Sequence, residues 1–239
     1  TDDLYPLARA WSSLYPPMAS ALVKTVLSAQ QEDGALPRMV RPDGFHDTRW
    51  APLPLVARSA WLAWQAQPDR EFHDYVMPRL HRYLQWTIAY FDPEWRGLPI
   101  WRDAREAWTS ETYNPLVATA DLPAMLASEL DALRDLSRAV PAGSLPQEDF
   151  LRYRASSGRT LAGFFWNQQA TMFQDRFPAG DHVIRLTLSA TLPLLDTTLA
   201  RDTLHPVAER LDRGGSLRDT RGAREWSMWP DDPEPPRSR

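Results

Sequence analysis

Apolar residues recur at intervals of three and four along most of the chain, a spacing that predicts a series of helices. The first spans roughly 5–31, broken at Pro16-Pro17, and ends at Glu32-Asp33-Gly34. Further helices are expected at about 52–67, 70–91, 119–140, 146–165, 188–196 and 199–212. For the helix at 119–140, Thr119 or Asp121 is the expected N-cap, with Pro123 in the first turn. A short β-hairpin is expected within 170–186, its strands at 170–177 and 182–186 flanking Pro178-Ala179-Gly180. No other stretch reads convincingly as a strand.

A repeat organises these helices. Leu-Pro-Leu-Val begins at 53, Leu-Pro-Ala-Met at 122 and Leu-Pro-Leu-Leu at 192, so the prolines Pro54, Pro123 and Pro193 are evenly spaced. Each opens an apolar helix and is followed by a more charged amphipathic one, the pattern of a buried inner helix paired with a partly exposed outer helix. The loops leading into the inner helices (32–51, 92–118, 166–187 and 213–239) are long and rich in functional side chains, whereas the inner-to-outer turns are short, as at 67–70. All long loops therefore emerge on one face. The expected fold is all-α, an α/α toroid. A full barrel of this kind has six hairpins; three and the second half of another are counted here, so the whole of 1–239 reads as about half a toroid domain. Residues 213–239 are then either the next such loop or a disordered tail, since their Pro-rich, charged composition fits both.

Composition narrows the partners. A net charge of −4 with pI near 5.7 provides no overall basic field for nucleic acid or an anionic membrane. No apolar run reaches the roughly 18 residues of a membrane span, and no signal pattern opens the chain. The compartment stays open, the cytoplasm being slightly favoured. The chain begins with Thr rather than Met, so part of the N-terminus is expected to be missing. The absence of Cys excludes disulfides and thiolate chemistry. Half a barrel exposes the flanks of its inner helices, so the chain is expected to need the rest of its barrel or to self-associate.

Tryptophan changes the picture most, at 11 residues. Trp61, Trp64 and Trp86 fall in amphipathic runs, but Trp50, Trp95, Trp101, Trp108, Trp226 and Trp229 lie outside them. Loop aromatics among acids suit a carbohydrate site, because sugar C–H faces stack on indole while hydroxyls need carboxylates, amides and Arg. The alternative is that they are hydrophobic plugs anchoring long loops. The stretch 98–115 holds Trp101, Asp103, Arg105, Glu106, Trp108, Glu111 and Tyr113, and 41–50 holds Asp43, His46, Asp47, Arg49 and Trp50. In the second loop Arg49 and Asp47 are candidates for sugar hydroxyls and Trp50 for a stacking face; alternatively Trp50 staples the start of a helix. Trp101, Asp103, Trp108 and Tyr113 complete the candidate binding set. The spacing of Asp43, His46 and Asp47 matches no dedicated Zn or Ca loop, so neither metal nor cofactor is expected. His73 and His81 are read as surface or capping groups of an outer helix.

Several segments together resemble the (α/α)6-barrel glycoside hydrolases related to mannosylglycerate hydrolases, processing α-glucosidases and amylo-α-1,6-glucosidase-like proteins. These are QQEDGALPRMV from Gln30, the pair of helices from Trp50 to Asp92, ADLPAMLASELDAL from Ala120, FFWNQQATMFQDRF from Phe164 and LSATLPLL from Leu188. They cover about residues 28 to 232 in order. The resemblance implies an inverting exo-acting α-glycosidase that works on a small glycoside or oligosaccharide end, with two carboxylates and no cofactor. It places Glu106 on the family's motif glutamate, but Ser110 where the acid aspartate would stand. Glu111, one residue on, is therefore the first candidate for the general acid, ahead of Glu106 and then Asp103. The second carboxylate would come from beyond residue 239. Inversion needs an acid on the leaving oxygen and a base holding water on the opposite face, and the acid needs apolar or like-charged neighbours to stay protonated. The broken motif leaves two other readings: a catalytically silent carbohydrate-binding or scaffolding relative, or a toroid epimerase or lyase, which would need paired His.

Overall fold

The break at Pro16-Pro17 turns one expected helix into two. Helix α1 (Leu4–Leu14) stops at Tyr15, and α2 (Pro16–Ser28) starts with both prolines in its first turn, where a missing N–H leaves no bond unmade. The chain continues through α3 (Val56–Ala66), α4 (Arg70–Phe91), α5 (Asp121–Ala139) and α6 (Glu148–Thr160), which widens into a π-helical turn over Leu161–Phe165. A 3₁₀ helix (Leu188–Leu195) and α7 (Arg201–Asp212) follow. The structure is a computed structural model and describes residues 1–41, 43–107, 114–140, 148–177, 180, 188–195, 199–212, 218–219 and 222–223.

Packing sorts these helices into two layers. Helix α1 lies against α3, α3 against α5, and α5 against the 3₁₀ helix, forming the inner series. Outside it, α2 packs on α1, α3 and α4, α4 on α5, α6 on α5, and α7 on the 3₁₀ helix. This is the inner-and-outer arrangement of an α/α toroid. The described residues form four hairpins rather than the expected three and a half, because α1 and α2 are themselves an inner and outer pair. A periodicity argument misses this: the single residue Tyr15 reverses the chain without interrupting the apolar spacing. The flank of this first hairpin leaves Leu7, Leu14, Tyr15 and Met18 exposed.

Helix boundaries follow local chemistry. Asp69 caps α4 by accepting the Glu71 N–H at 3.0 Å. Neither Thr119 nor Asp121 is the N-cap of α5; Ala120 holds that position, and its N–H is taken at 3.0 Å by Asp175 from far along the chain. Of the repeat's prolines only Pro123 sits in a first helical turn; Pro54 precedes α3 and Pro193 lies within the 3₁₀ helix. The strands also depart from expectation. The hairpin near 170 pairs β3 (Trp166–Asn167) with β4 (Met172–Phe173), so its turn lies before the Pro178 region, and 182–186 falls outside the described residues. Two further short pairs were not expected, β1 (Met39–Val40) with β2 (His46–Asp47), and β5 (Arg218–Asp219) with β6 (Gly222–Ala223).

One large core includes Leu27, Leu36, Phe72, Leu80, Tyr83, Ile88, Leu122, Met125 and Phe150, and a smaller one gathers Phe165, Met172, Phe173 and Val207. Trp95 is a plug as the alternative reading held, packing against Phe150 and Tyr153. His73 is buried, not a surface group, with Nε2 at 3.2 Å from the Leu136 carbonyl. His81 lies against Phe150. Gly34 turns the chain after α2 at φ +102°, where an added Cβ would lie 2.4 Å from the Arg82 carbonyl oxygen. Gly34→Ala is expected to lower the unfolding free energy by about 2–4 kcal/mol. Gly44→Ala, at positive φ but with open space around it, is expected to cost about 1 kcal/mol. Urea denaturation of both variants checks the difference, and equal losses would mean that Gly34 does not approach α4.

Candidate functional site

The N-terminal ends of the inner helices are held together by carboxylates. Asp2, just before α1, accepts the Leu53 N–H at 3.0 Å and Arg38 Nε at 2.7 Å. Glu106 Oε1 accepts the Ala51 N–H at 3.0 Å and the Tyr90 hydroxyl at 2.8 Å. Asp121, at the start of α5, accepts Trp101 Nε1 at 3.1 Å. Deeper down, Glu129 of α5 reaches the first turn of α3, its two oxygens accepting the N–H groups of Ala57 and Arg58, each at 2.8 Å. The starts of α1 and α5 and the loops leading into α3 and α5 are thus bonded into one network on the side where the inner helices begin.

On that side a cleft of about 460 Å³ opens, lined by residues 1–3, Arg38, Met39, Asp47, Trp50 and Arg105. Two local motifs build its wall. In each, an Asp binds the Arg two residues later through both the guanidinium and the backbone N–H. Arg49 reaches Asp47 through Nε at 2.9 Å and Nη2 at 2.8 Å, and Arg105 reaches Asp103 through Nε at 2.7 Å and Nη2 at 2.6 Å. Both guanidiniums lie 4.4 Å from the centre of the Trp50 ring, a cation–π geometry. These contacts favour the charged form of both acids. The Arg49 guanidinium holds Asp47 down to about 2, and the Arg105 guanidinium holds Asp103 down to about 2. Such carboxyls are ionised at neutral pH, which suits Asp103 to accepting hydrogen bonds better than to giving a proton.

The sequence-derived candidates divide accordingly. Asp47 and Trp50 line the cleft, whereas Arg49 and Asp103 do not line it but hold the lining residues Asp47 and Arg105. Trp101 does not offer a stacking face: it is 3 % exposed, stands edge-on to Phe91 and belongs to the core. Glu106 is 1 % exposed and sits between Arg105 and Ala51 behind the wall rather than in the cleft; its Oε2 is buried without a hydrogen-bond partner among the described residues. Burial, and then the bond to Glu106, push the Tyr90 hydroxyl up to about 12, so Tyr90 remains a donor to that carboxylate. Glu111, Trp108, Tyr113 and Ser110 lie outside the described residues. Arg105, Arg38, Asp2 and Asp3 were missed. The matching Asp-x-Arg spacing at 47–49 and 103–105 is a signal that could have found Arg105, whereas nothing local marks Asp2 as a partner of Leu53 and Arg38. Among the described residues no three His, Asp or Glu side chains converge as metal ligands would, and no helix is long and apolar enough to cross a membrane.

No family model matches the chain, and no curated protein matches it. Solved structures do match in fold. An uncharacterized conserved protein of Thermus thermophilus superposes with a TM-score of 0.75 at 17 % identity, over 94 % of this chain and 71 % of that one. The GH63 mannosylglycerate hydrolase of the same organism, in complex with glucose, superposes with a TM-score of 0.73 at 18 % identity, over 88 % of this chain and 68 % of that one. The same hydrolase with Tris and D-glycerate gives 0.75 at 15 % identity, over 95 % and 76 %. At these identities the likeness establishes the α/α-toroid fold, shared over part of those chains' length.

Proposed function

We propose that the chain is a glycoside hydrolase of the α/α-toroid type that acts with inversion on a small α-linked glycoside or oligosaccharide end, with Glu111 as general acid. The observation that carries this reading is the cleft on the side where the inner helices begin, lined by an indole, carboxylates and guanidiniums. At about 460 Å³ it lies within the roughly 300–1,000 Å³ usual for small-ligand sites. The similar fold of a mannosylglycerate hydrolase supports the same chemistry and adds glycosyl-glycerates to the substrates worth testing.

A second reading is a carbohydrate-binding relative that has lost catalysis. It is favoured by the clasps, one of which leaves the acid candidate Asp103 without a proton to donate, and by Ser110 at the position of the acid. Hydrolysis of α-glucosides, α-mannosides and glycosyl-glycerates by the protein, with calorimetric binding of the same sugars to wild type and Trp50→Ala, separates the two. Turnover is the expected result. Saturable binding without turnover, weakened in Trp50→Ala, would establish the binding reading instead, and neither turnover nor binding would sink both.

A further inference from the structure

Two loops build the wall of the cleft, and each is complete within itself. In the first, Asp47 clasps Arg49, whose guanidinium lies 4.4 Å from the centre of the neighbouring Trp50 ring. In the second, Asp103 clasps Arg105, and the Glu106 N–H closes a turn onto the Asp103 carbonyl at 3.0 Å. Contacts over one to three residues form wherever their loop lies, so neither clasp fixes one loop relative to the other. Yet Arg105 also stands 4.4 Å from the centre of the Trp50 ring, and both line the cleft. Arg105 is exposed, and a cation–π contact at an exposed site is too weak to set a register alone. The anchors at the start of the second loop, the Ile100 N–H on the Phe91 carbonyl and Trp101 Nε1 on Asp121, end before Asp103.

One hydrogen bond crosses between the two loops among the described residues, Glu106 Oε1 accepting the Ala51 N–H at 3.0 Å. Ala51 follows Trp50 and Glu106 follows Arg105, so this bond brings the two partners of the cation–π contact side by side. Glu106 and Ala51 are both buried, where water does not compete for a charge-assisted bond. The same oxygen accepts the Tyr90 hydroxyl at 2.8 Å. Tyr90 belongs to α4 and is itself fixed, stacked on Trp86 at 4.8 Å, edge-on to Phe91 and covered by the Arg102 guanidinium at 4.9 Å. Glu106 is therefore held by a helix that is part of neither loop. Its Oε2 takes no hydrogen bond among the described residues, so the link runs through Oε1 alone.

We propose that Glu106 is a positioning residue of the cleft: through Ala51 it sets the 47–51 loop against the 102–107 loop, and so holds the Arg105 guanidinium on the Trp50 ring. Its part in recognising a sugar rests on the cleft being the site; the placement of the two loops does not. Because Glu106 acts through groups that bind rather than react, its loss falls on affinity more than on the chemical step.

The Nε–H resonances of Arg49 and Arg105 in ¹⁵N-labelled protein, each identified by its loss in Arg49→Lys or Arg105→Lys, report the clamp. The ring current of Trp50 displaces both, so Trp50→Ala is expected to shift both. Glu106→Ala is expected to move the Arg105 resonance most of the way to its position in Trp50→Ala, while that of Arg49, whose contact with Trp50 is local, stays in place. Glu106→Gln, whose amide oxygen can still accept from Ala51 and Tyr90, is expected to return the Arg105 resonance to its wild-type position. Tyr90→Phe keeps the ring in its stack and is expected to move the Arg105 resonance part of the way, which gives the same reading if Glu106→Ala does not fold. In calorimetric titrations with methyl α-glucoside and methyl α-mannoside, Glu106→Ala is expected to weaken binding by about tenfold, and by far less when Trp50→Ala is already present. An Arg105 resonance that Glu106→Ala leaves in place, Arg49 and Arg105 resonances that move together, or a loss of affinity undiminished in Trp50→Ala would each overturn the proposal. Resonances that behave as expected in a protein that binds neither sugar would support the clamp and remove the reading of the cleft.

Discussion

Glu129→Ala is expected to lower the unfolding free energy by about 3–5 kcal/mol, the largest stability effect we expect from one substitution. Glu129 is buried on α5 and accepts the Ala57 and Arg58 N–H groups at the start of α3, where a helix has donors that its own backbone cannot satisfy. Alanine would strand both donors in the core, leave a cavity and remove the bond that ties one inner helix to the next. For a domain of this size the loss corresponds to a fall in melting temperature of roughly 10 °C. The same contact gives stability a pH dependence. Burial pushes Glu129 up to about 7 against the pull of the Arg58, Ala57 and Val56 backbone N–H groups. A carboxyl raised in the folded state contributes stability that is fully present below its ordinary value of 4.5 and lost as pH rises through about 7. Asp175 has the same sign; Asp47 and Asp103, held down, lose their contributions only as pH falls through about 2. Unfolding free energy is therefore expected to fall between mildly acid and mildly alkaline pH, with a shallower slope in Glu129→Gln. Urea denaturation across that range measures both effects. A Glu129→Ala protein within about 1 kcal/mol of wild type would show that the two inner helices are not joined this way.

The second large effect concerns activity. Glu111→Gln is expected to reduce turnover of an unactivated glycoside by about 10²–10⁴-fold, the usual contribution of a general acid, with affinity retained. An aryl glycoside, whose leaving group needs little protonation, is expected to lose far less. Glu106→Gln is the necessary comparison. Its carbonyl oxygen can still accept from Ala51 and Tyr90, so turnover is expected to stay within about tenfold of wild type. Steady-state kinetics on both substrates decide between them. The opposite ranking would make Glu106 the acid and require that its buried, unpartnered oxygen become accessible when substrate binds.

Much of the fold was legible because helices advertise themselves locally. The spacing of apolar residues predicted α4 at 70–91, where the structure has Arg70–Phe91, and the Leu-Pro repeat predicted that α3, α5 and the 3₁₀ helix form successive inner elements. The candidate site was legible only as a composition. Aromatics and acids singled out two loops, and of their residues Trp50 and Asp47 line the cleft. Their roles were not legible, since Trp101 has the same sequence environment as an exposed binding aromatic and is instead buried against Phe91.

By itself, the sequence determined what depends on neighbours within a few residues: the helical periodicity, the proline that starts α2, the Asp69 cap of α4, and the Asp-x-Arg clasps at 47–49 and 103–105. Each closes a contact over one to four residues, so the chain encodes it wherever it lies. Only the tertiary structure decided which acids are buried and what they hold. Asp2 on Leu53, Glu106 on Ala51, Glu129 on Ala57 and Asp175 on Ala120 are bonds across 51 to 72 residues. Their partners are backbone N–H groups, which every residue but proline possesses, so no pattern in the side chains marks them in advance.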